Sequence, residues 1–291
     1  MKNPPLARLT IAIFLLFQAA TASAIDIQPG ELRAPTPGLN LMQLSYQYSE
    51  RGDSYRHGNK QPGDPQIVAT QYQLRLGRAF EIAGQPAFFY AQTPTGNIQP
   101  QGALARQAGD SGLGDTALLL AIWPYANHDS QTYVALGAYL FAPTGSYDHK
   151  RSFNMGDNRY KSALQAAYQT PISANVHWMA ALDAVWFGPN SDAGPSHARL
   201  EQQALYSAQT GLKYDLSPAL SLAANYFYSS GGETRLNQLS RDDATRQQRY
   251  QLSATTNLPF GRLALQYGGD LKTDNGYYEK QRLIVRYSLL F

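Results

Sequence analysis

Apolar and polar residues alternate with a period of two through most of the chain after residue 38. Two is the period at which the side chains of a β-strand share one face. Most of the runs are longer than soluble strands of about 5–6 residues, and they suit tilted membrane strands of about 9–11. The pattern predicts strands at residues 39–48, 67–80, 87–95, 114–124, 131–142, 159–170, 176–188, 202–216, 219–230, 249–258, 262–273 and 278–291.

The connections between these runs alternate between short and long. The short ones lie near residues 83–86, 126–130, 171–175, 216–219 and 258–261, and the last hairpin, at 274–276, is also short. The long polar ones are 49–66, 96–113, 143–158, 189–201 and 231–248. Short periplasmic turns and long outer loops are typical of bacterial outer-membrane barrels. We therefore predict an all-β fold: an antiparallel up-and-down transmembrane β-barrel of about 12 strands, over residues 39–291. The alternative is an exported β-sandwich, with shorter strands and a more charged surface.

Two sequence features fit the barrel. Aromatic residues near the ends of the runs predict interfacial girdles; they are Tyr48, Trp123, Tyr125, Tyr139, Trp178, Trp186 and Tyr228. In the last run, one face is wholly apolar or aromatic, and a terminal strand of this kind resembles the signal that the barrel assembly machinery recognises. The residues of this expected assembly signal are Leu283, Val285, Tyr287, Leu289 and Phe291. The expected surroundings are outer-membrane lipid and lipopolysaccharide.

The N-terminal residues have the features of a secretory signal peptide. Lys2 and Arg8 precede an apolar run at residues 9–17, and Ala22 and Ala24 then form a small-residue cleavage site. We predict a signal peptide over residues 1–24. Residues 25–38 are rich in proline and lack periodicity, which predicts an irregular periplasmic segment.

Composition narrows the functional classes. Charged residues make up 15% of the chain, against about 25% in soluble domains. The mean hydropathy is nevertheless −0.39, so uncharged polar residues replace the missing charge. This mixture suits a protein that is apolar outside and polar inside. With 24 Lys and Arg against 21 Asp and Glu and no basic run, nothing indicates nucleic-acid binding. The chain has no Cys, which excludes disulfides and thiolate metal sites.

Three short motifs carry a family resemblance. They are Gly112-Leu113-Gly114-Asp115, then Pro143-Thr144-Gly145 with Tyr147-Asp148, and then Asn154-Met155-Gly156 with Asn158-Arg159-Tyr160. The stretch from about 110 to 170 resembles the outer-membrane family of phenol-degradation meta-pathway transporters. The resemblance implies a barrel associated with aromatic catabolism, and it transfers no binding residue. From the residues themselves, glycines and proline at strand ends indicate rim architecture rather than ligand contact.

Little in the chain indicates catalysis. The five His show no H-E-x-x-H or other paired metal-ligand spacing, and no G-x-S-x-G occurs. We therefore predict no enzyme, no catalytic residue, no metal site and no cofactor. Charged residues of the long loops, including Arg241, Arg246 and Arg249, are either solvated or paired with lipid phosphates. Acidic loop residues are either solvated or bind Ca²⁺ that bridges lipopolysaccharide.

The strand phases place a set of charged residues inside the barrel, because charge on the lipid face costs about 2–4 kcal/mol at the midplane. These lumen-lining candidates are Arg75, Lys161, Asp183, Lys213, Asp215, Asp270, Lys272, Arg282 and Arg286. A barrel of twelve strands is intermediate in width between small barrels, whose interior is filled by side chains, and large porins, which enclose a wide channel. This width favours a narrow path. We predict a passive outer-membrane channel for a small molecule, with aromatic or other amphipathic carbon sources suggested by the resemblance. The alternatives are a surface lipid hydrolase and a closed structural anchor.

Overall fold

The computed structural model describes residues 25–291, so the expected signal peptide lies outside the described residues. It confirms the all-β prediction, with a closed antiparallel barrel of twelve strands. The barrel strands are β1 (Asn40–Arg56), β2 (Pro65–Ile82), β3 (Gln85–Gly102), β4 (Thr116–Asn127), β5 (Thr132–Ala142), β6 (Lys161–Ser173), β7 (Val176–Phe187), β8 (Leu205–Asp215), β9 (Leu220–Gly231), β10 (Thr245–Leu258), β11 (Gly261–Thr273) and β12 (Gly276–Leu290).

The barrel closes through pairing of its first and last strands. β12 pairs antiparallel with β11 on one side and with β1 on the other, in a register that runs from Leu41 opposite Leu290 to Tyr55 opposite Gly276. Beyond β12, the Phe291 and Asn40 backbones exchange hydrogen bonds of 2.7 and 3.1 Å. Each of the twelve barrel strands within residues 40–290 is therefore paired on both sides, which is the condition for spanning a bilayer with strands.

Alternate residues of the strands form an exposed apolar outer face. Large side chains that lie on it include Leu74, Leu76, Leu182, Leu212, Leu222, Leu252 and Leu265. This face is the lipid contact of the barrel. Two of the expected girdle residues do not belong to it: Trp123 is 5% exposed, and the half-buried Tyr139 packs against the same interior cluster as Trp123.

Several strands extend beyond their predicted ends on the long-loop side. β1 continues to Arg56, whereas the alternation predicted an end at 48, and β3 continues to Gly102 instead of 95. Beyond the lipid, the outward-facing side chains of these strands, such as Glu50 and Gln99, are polar, so the apolar alternation that marks a strand disappears there. Short additional strands in the outer loops are Asn59–Lys60, Asp110–Leu113, Asn190–Ala193, Ala198–Gln202, Thr234–Leu236 and Leu239–Ser240.

Among residues 25–291, no helix is long and apolar enough to cross a membrane.

Candidate functional site: the barrel lumen and its N-terminal segment

The N-terminal segment, residues 25–39, lies inside the barrel. The carbonyl of Ile25 accepts hydrogen bonds from Gln165 of β6 (2.6 Å) and Gln209 of β8 (2.7 Å). Both glutamines lie four residues from the outer ends of their strands. From there the chain descends to the start of β1 at the periplasmic end. The segment that the sequence assigned to the periplasm therefore occupies the lumen, and its hydrogen bonds to strand side chains hold it there.

One side of the N-terminal segment is held by ion pairs and amides. The carboxylate of Asp26 accepts two hydrogen bonds from Arg249, at 2.8 and 3.1 Å, and lies 3.4 Å from the guanidinium of Arg282. The next polar side chain, Gln28, accepts hydrogen bonds from Gln251 and Gln266. A bidentate guanidinium–carboxylate pair fixes both the position and the orientation of the two side chains. Arg249, which the sequence treated as a loop cation, is thus a buried lumen residue.

A second ion pair joins the N-terminal segment to β2. Arg75 Nη1 lies 2.9 Å from Glu31 Oε1, and Arg75 Nε donates to Gln92 Oε1 at 2.9 Å. The guanidinium also stacks over the ring of Tyr90, with 4.3 Å between Cζ and the ring centroid. These three contacts restrict the side chain of Arg75, so its guanidinium is a fixed positive charge about halfway along the lumen.

The opposite side of the N-terminal segment is apolar. Ile27, Leu32 and Ala34 pack against an interior wall contributed by β3 to β7. The strand residues of this wall are Tyr90, Leu119, Ala121, Trp123, Tyr133, Ala135, Ala167, Met179 and Ala181. Trp123 Nε1 donates to the carbonyl of Leu32 at 2.9 Å. This packing explains why the sequence of β4 is apolar on both faces: one face meets lipid and the other meets the segment.

Above the N-terminal segment, the outer half of the lumen forms a vestibule of about 190 Å³. Its wall combines amide side chains, such as Gln71 and Gln73, with apolar ones, such as Phe141 and Phe187. Gln92 also lines the vestibule and accepts the hydrogen bond from Arg75. The floor of the vestibule therefore adjoins the Arg75–Glu31 ion pair.

Eight of the nine charged lumen candidates lie in the interior, in three groups. Arg75, Arg282 and Arg286 lie on β2 and β12, on the side of the lumen that faces the carboxylates of the N-terminal segment; the Nε and Nη1 atoms of Arg286 are buried without a hydrogen-bond partner. Asp183 accepts a hydrogen bond from Gln209 at 3.1 Å, beside the segment's first residue. The others pair at the two ends of the lumen: Lys161 with Asp157, Lys213 with Asp215, and Asp270 with Gln247 and Thr273. Whether they line a solute path stays a prediction.

Lys272 is the exception. A bulge in the pairing of β10 with β11 leaves Asp270 opposite Arg249 and Lys272 opposite Gln248, so Leu271 is the extra residue. An extra residue reverses the alternation of the side chains that follow it. The side chain of Lys272 is accordingly 55% exposed and pairs with Asp274 at 3.3 Å.

The family motifs meet at a single junction on the outer rim. The two carboxylate oxygens of Asp115 accept hydrogen bonds from the backbone N–H of Gly145, at 3.1 Å, and of Asp157, at 3.0 Å. Asp115 thereby joins the three motif segments. A Cβ atom on Gly145 would lie 2.6 Å from the Cα of Gly156, so only glycine allows this approach of the backbones.

The two carboxylates of this junction have different charge environments. Burial raises the pKa of Asp115 above its ordinary value, although the backbone N–H of Asp157 offsets part of the increase. Burial acts on Asp157 in the same direction, but the positive charges of Lys161 and Arg159 outweigh it and hold the pKa of Asp157 below its ordinary value. As the pH falls, Asp115 therefore takes up a proton before Asp157 does.

A closed twelve-stranded barrel with an apolar belt outside defines an outer-membrane β-barrel. The chain belongs to the family described as "Putative MetA-pathway of phenol degradation", whose profile matches residues 50–287. This match confirms the resemblance carried by the motifs.

Solved structures agree with this assignment. The chain is similar to the COG4313 outer membrane channel from Pseudomonas putida F1, with a TM-score of 0.88, 29% identity, and coverage of 91% of this chain and 100% of that one. The β domain of the Bordetella autotransporter Brka shares the fold alone, with a TM-score of 0.54, 10% identity, and coverage of 86% and 99%. The comparison with curated protein sequences produced no match. The protein thus has the fold and the outer-membrane location of a channel.

Proposed function

We propose that the protein is a passive channel for small amphipathic anions, with aromatic carboxylates as the leading class. The observation that carries this proposal is that a vestibule of amide and apolar side chains ends beside the guanidinium of Arg75, which donates a hydrogen bond to Gln92 of the vestibule wall. The apolar side chains of the vestibule wall can contact the aromatic ring of such a solute, and the amide side chains can form hydrogen bonds with its polar substituents. The family description adds an association with phenol degradation.

Arg286 is the guanidinium best suited to meet a passing carboxylate. Its Nε and Nη1 atoms are buried and donate to no protein group, whereas Arg75 and Arg249 already pair with carboxylates of the N-terminal segment. A buried guanidinium with free N–H groups attracts anions strongly, because charge interactions gain strength away from bulk water. The solute would pass beside the N-terminal segment, along the polar side of the lumen.

Uptake into proteoliposomes tests the proposal with two probes of similar size and opposite charge, benzoate and benzylammonium. We expect the wild-type protein to pass benzoate faster. Arg286→Gln should lower the ratio of the two fluxes by at least about fivefold, which corresponds to about 1 kcal/mol of lost charge attraction. Lys272→Gln is the matched control, because it removes a cation that lies outside the lumen. Equal fluxes of the two probes through the wild-type protein would reject anion transport.

A closed structural anchor is the second candidate, because the N-terminal segment occupies the lumen and is held there by ion pairs at Asp26 and Glu31. An anchor would pass neither probe. The two functions therefore differ in the wild-type flux itself, before any substitution is made.

A further inference from the structure

Two outer loops meet at a cluster of two histidines and one aspartate. His149 belongs to the loop between β5 and β6, and Asp192 and His197 flank the turn of the short hairpin between β7 and β8. The Nδ1 atom of His197 is in hydrogen-bond contact with Asp192 Oδ1. The Nδ1 atom of His149 lies 3.7 Å from Asp192 Oδ2. Both imidazoles are therefore directed at one carboxylate.

This cluster differs from a simple His–Asp pair. His57 and Asp242, in other outer loops, form such a pair at 3.2 Å, with one ring for one carboxylate. In the cluster, the ring centroids of His149 and His197 are only 4.2 Å apart. At this distance the two imidazoles and the carboxylate can all donate lone pairs to one cation.

The distances are close to those of a metal site. One ligand atom from each residue lies within 4.8 Å of the other two. Ligand atoms on one tetrahedral Zn²⁺ lie about 3.4 Å apart, given bonds of about 2.0–2.2 Å. His149, Asp192 and His197 are all at least partly exposed, so their side chains have room to rotate towards a shared ion.

The backbone beneath the cluster is held in place. Tyr147, two residues before His149, donates a hydrogen bond from its hydroxyl to the carbonyl of Asp192 at 2.8 Å. Asn190 is fully buried and joins the two loops through the hydroxyl of Tyr147 (3.0 Å) and the carbonyl of Asp157 (3.2 Å). The ligand-bearing segments are therefore positioned before any ion binds, which lowers the cost of binding.

We propose that His149, Asp192 and His197 bind one divalent transition-metal ion of the Zn²⁺ class on the outer surface of the barrel. Two imidazoles and a carboxylate suit Zn²⁺, whereas Ca²⁺ and Mg²⁺ take oxygen ligands. Three protein ligands leave a fourth position for water.

The ion joins the two loops beside the vestibule. Asn154, Met155 and Asp157 line the vestibule and belong to the same loop as His149. A metal that ties this loop to the neighbouring hairpin therefore stabilises the rim of the outer opening. This role does not depend on which solute the channel passes.

Calorimetric titration with Zn²⁺ tests the site directly. The full mature protein is purified in detergent without a polyhistidine tag and stripped with a chelator. We expect one Zn²⁺ per chain, with at least a tenfold loss of affinity in His149→Gln and in His197→Gln. His57→Gln is the matched control and should bind as the wild type does. Absence of stoichiometric binding, or equal binding by His197→Gln, would overturn the proposal.

Trypsin cleavage tests the joining of the loops. Lys150 is exposed in the loop that carries His149. Zn²⁺ should slow cleavage after Lys150 in the wild type and leave the cleavage rate unchanged in His197→Gln. The heat-dependent shift in gel mobility of His197→Gln checks that its barrel is folded. If Zn²⁺ bound to the wild type without changing this cleavage rate, the proposed joining of the loops would be wrong.

Discussion

At the scale of single residues, the outer rim depends on Asp115. Its two oxygens satisfy backbone N–H groups from two different segments, and the motif glycines allow those segments to approach closely. The sequence indicated that these motifs are structural, because glycine and proline at strand ends have local backbone roles. It could not show that Asp115 is the group that joins them, since its partners lie 30 and 42 residues away.

Replacing Asp115 with alanine should open this junction. The change leaves two backbone N–H groups without their acceptors, at a cost of about 1–3 kcal/mol each. We expect trypsin to cleave the loop after Lys150 or Arg151 at least about tenfold faster than in the wild type. Asp242→Ala is the control, because Asp242 is 75% exposed and pairs only with a loop histidine. An unchanged cleavage rate in Asp115→Ala would show that the loops do not depend on this carboxylate.

At the scale of elements, all twelve strands could be predicted because each carries an apolar lipid face. The prediction weakened where this face was missing. The outer ends of β1 and β3 carry polar residues on their outward face, and the bulge before Lys272 changes the phase without a sequence signal of its own. The location of the N-terminal segment could not be predicted, since it has no periodicity and its contacts with β2, β6, β8 and β10 are distant in sequence. The His149–Asp192–His197 cluster was missed for the same reason: metal-ligand motifs are recognised by local spacing.

The bulge in β11 has a direct chemical test, because the chain contains no cysteine. A cysteine introduced at Lys272 should react rapidly with a bulky, membrane-impermeant thiol reagent added to intact cells. A cysteine at Asp270, which is 3% exposed, should react at least about tenfold more slowly. Equal rates at the two positions would show that Lys272 keeps the inward phase that the regular alternation predicts.

At the scale of the whole molecule, the lumen has two unlike sides, and the N-terminal segment matches both. Its apolar residues pack on the wall formed by β3 to β7, and its carboxylates pair with guanidinium groups of β2, β10 and β12. The segment therefore narrows the barrel from the periplasmic side and leaves the outer vestibule free. Under the proposed function, this arrangement would make a narrow, selective path out of a barrel of intermediate width, in place of a wide pore.

The central claim, that the occupied lumen still conducts, is tested most directly in planar lipid bilayers. The mature protein and a refolded chain that lacks residues 25–33 are compared under the same salt conditions. We expect small, anion-selective conductance steps from the mature protein and clearly larger, less selective steps from the shortened chain. A mature protein that never conducts, beside a shortened chain that does, would contradict the channel and establish the barrel as a closed anchor.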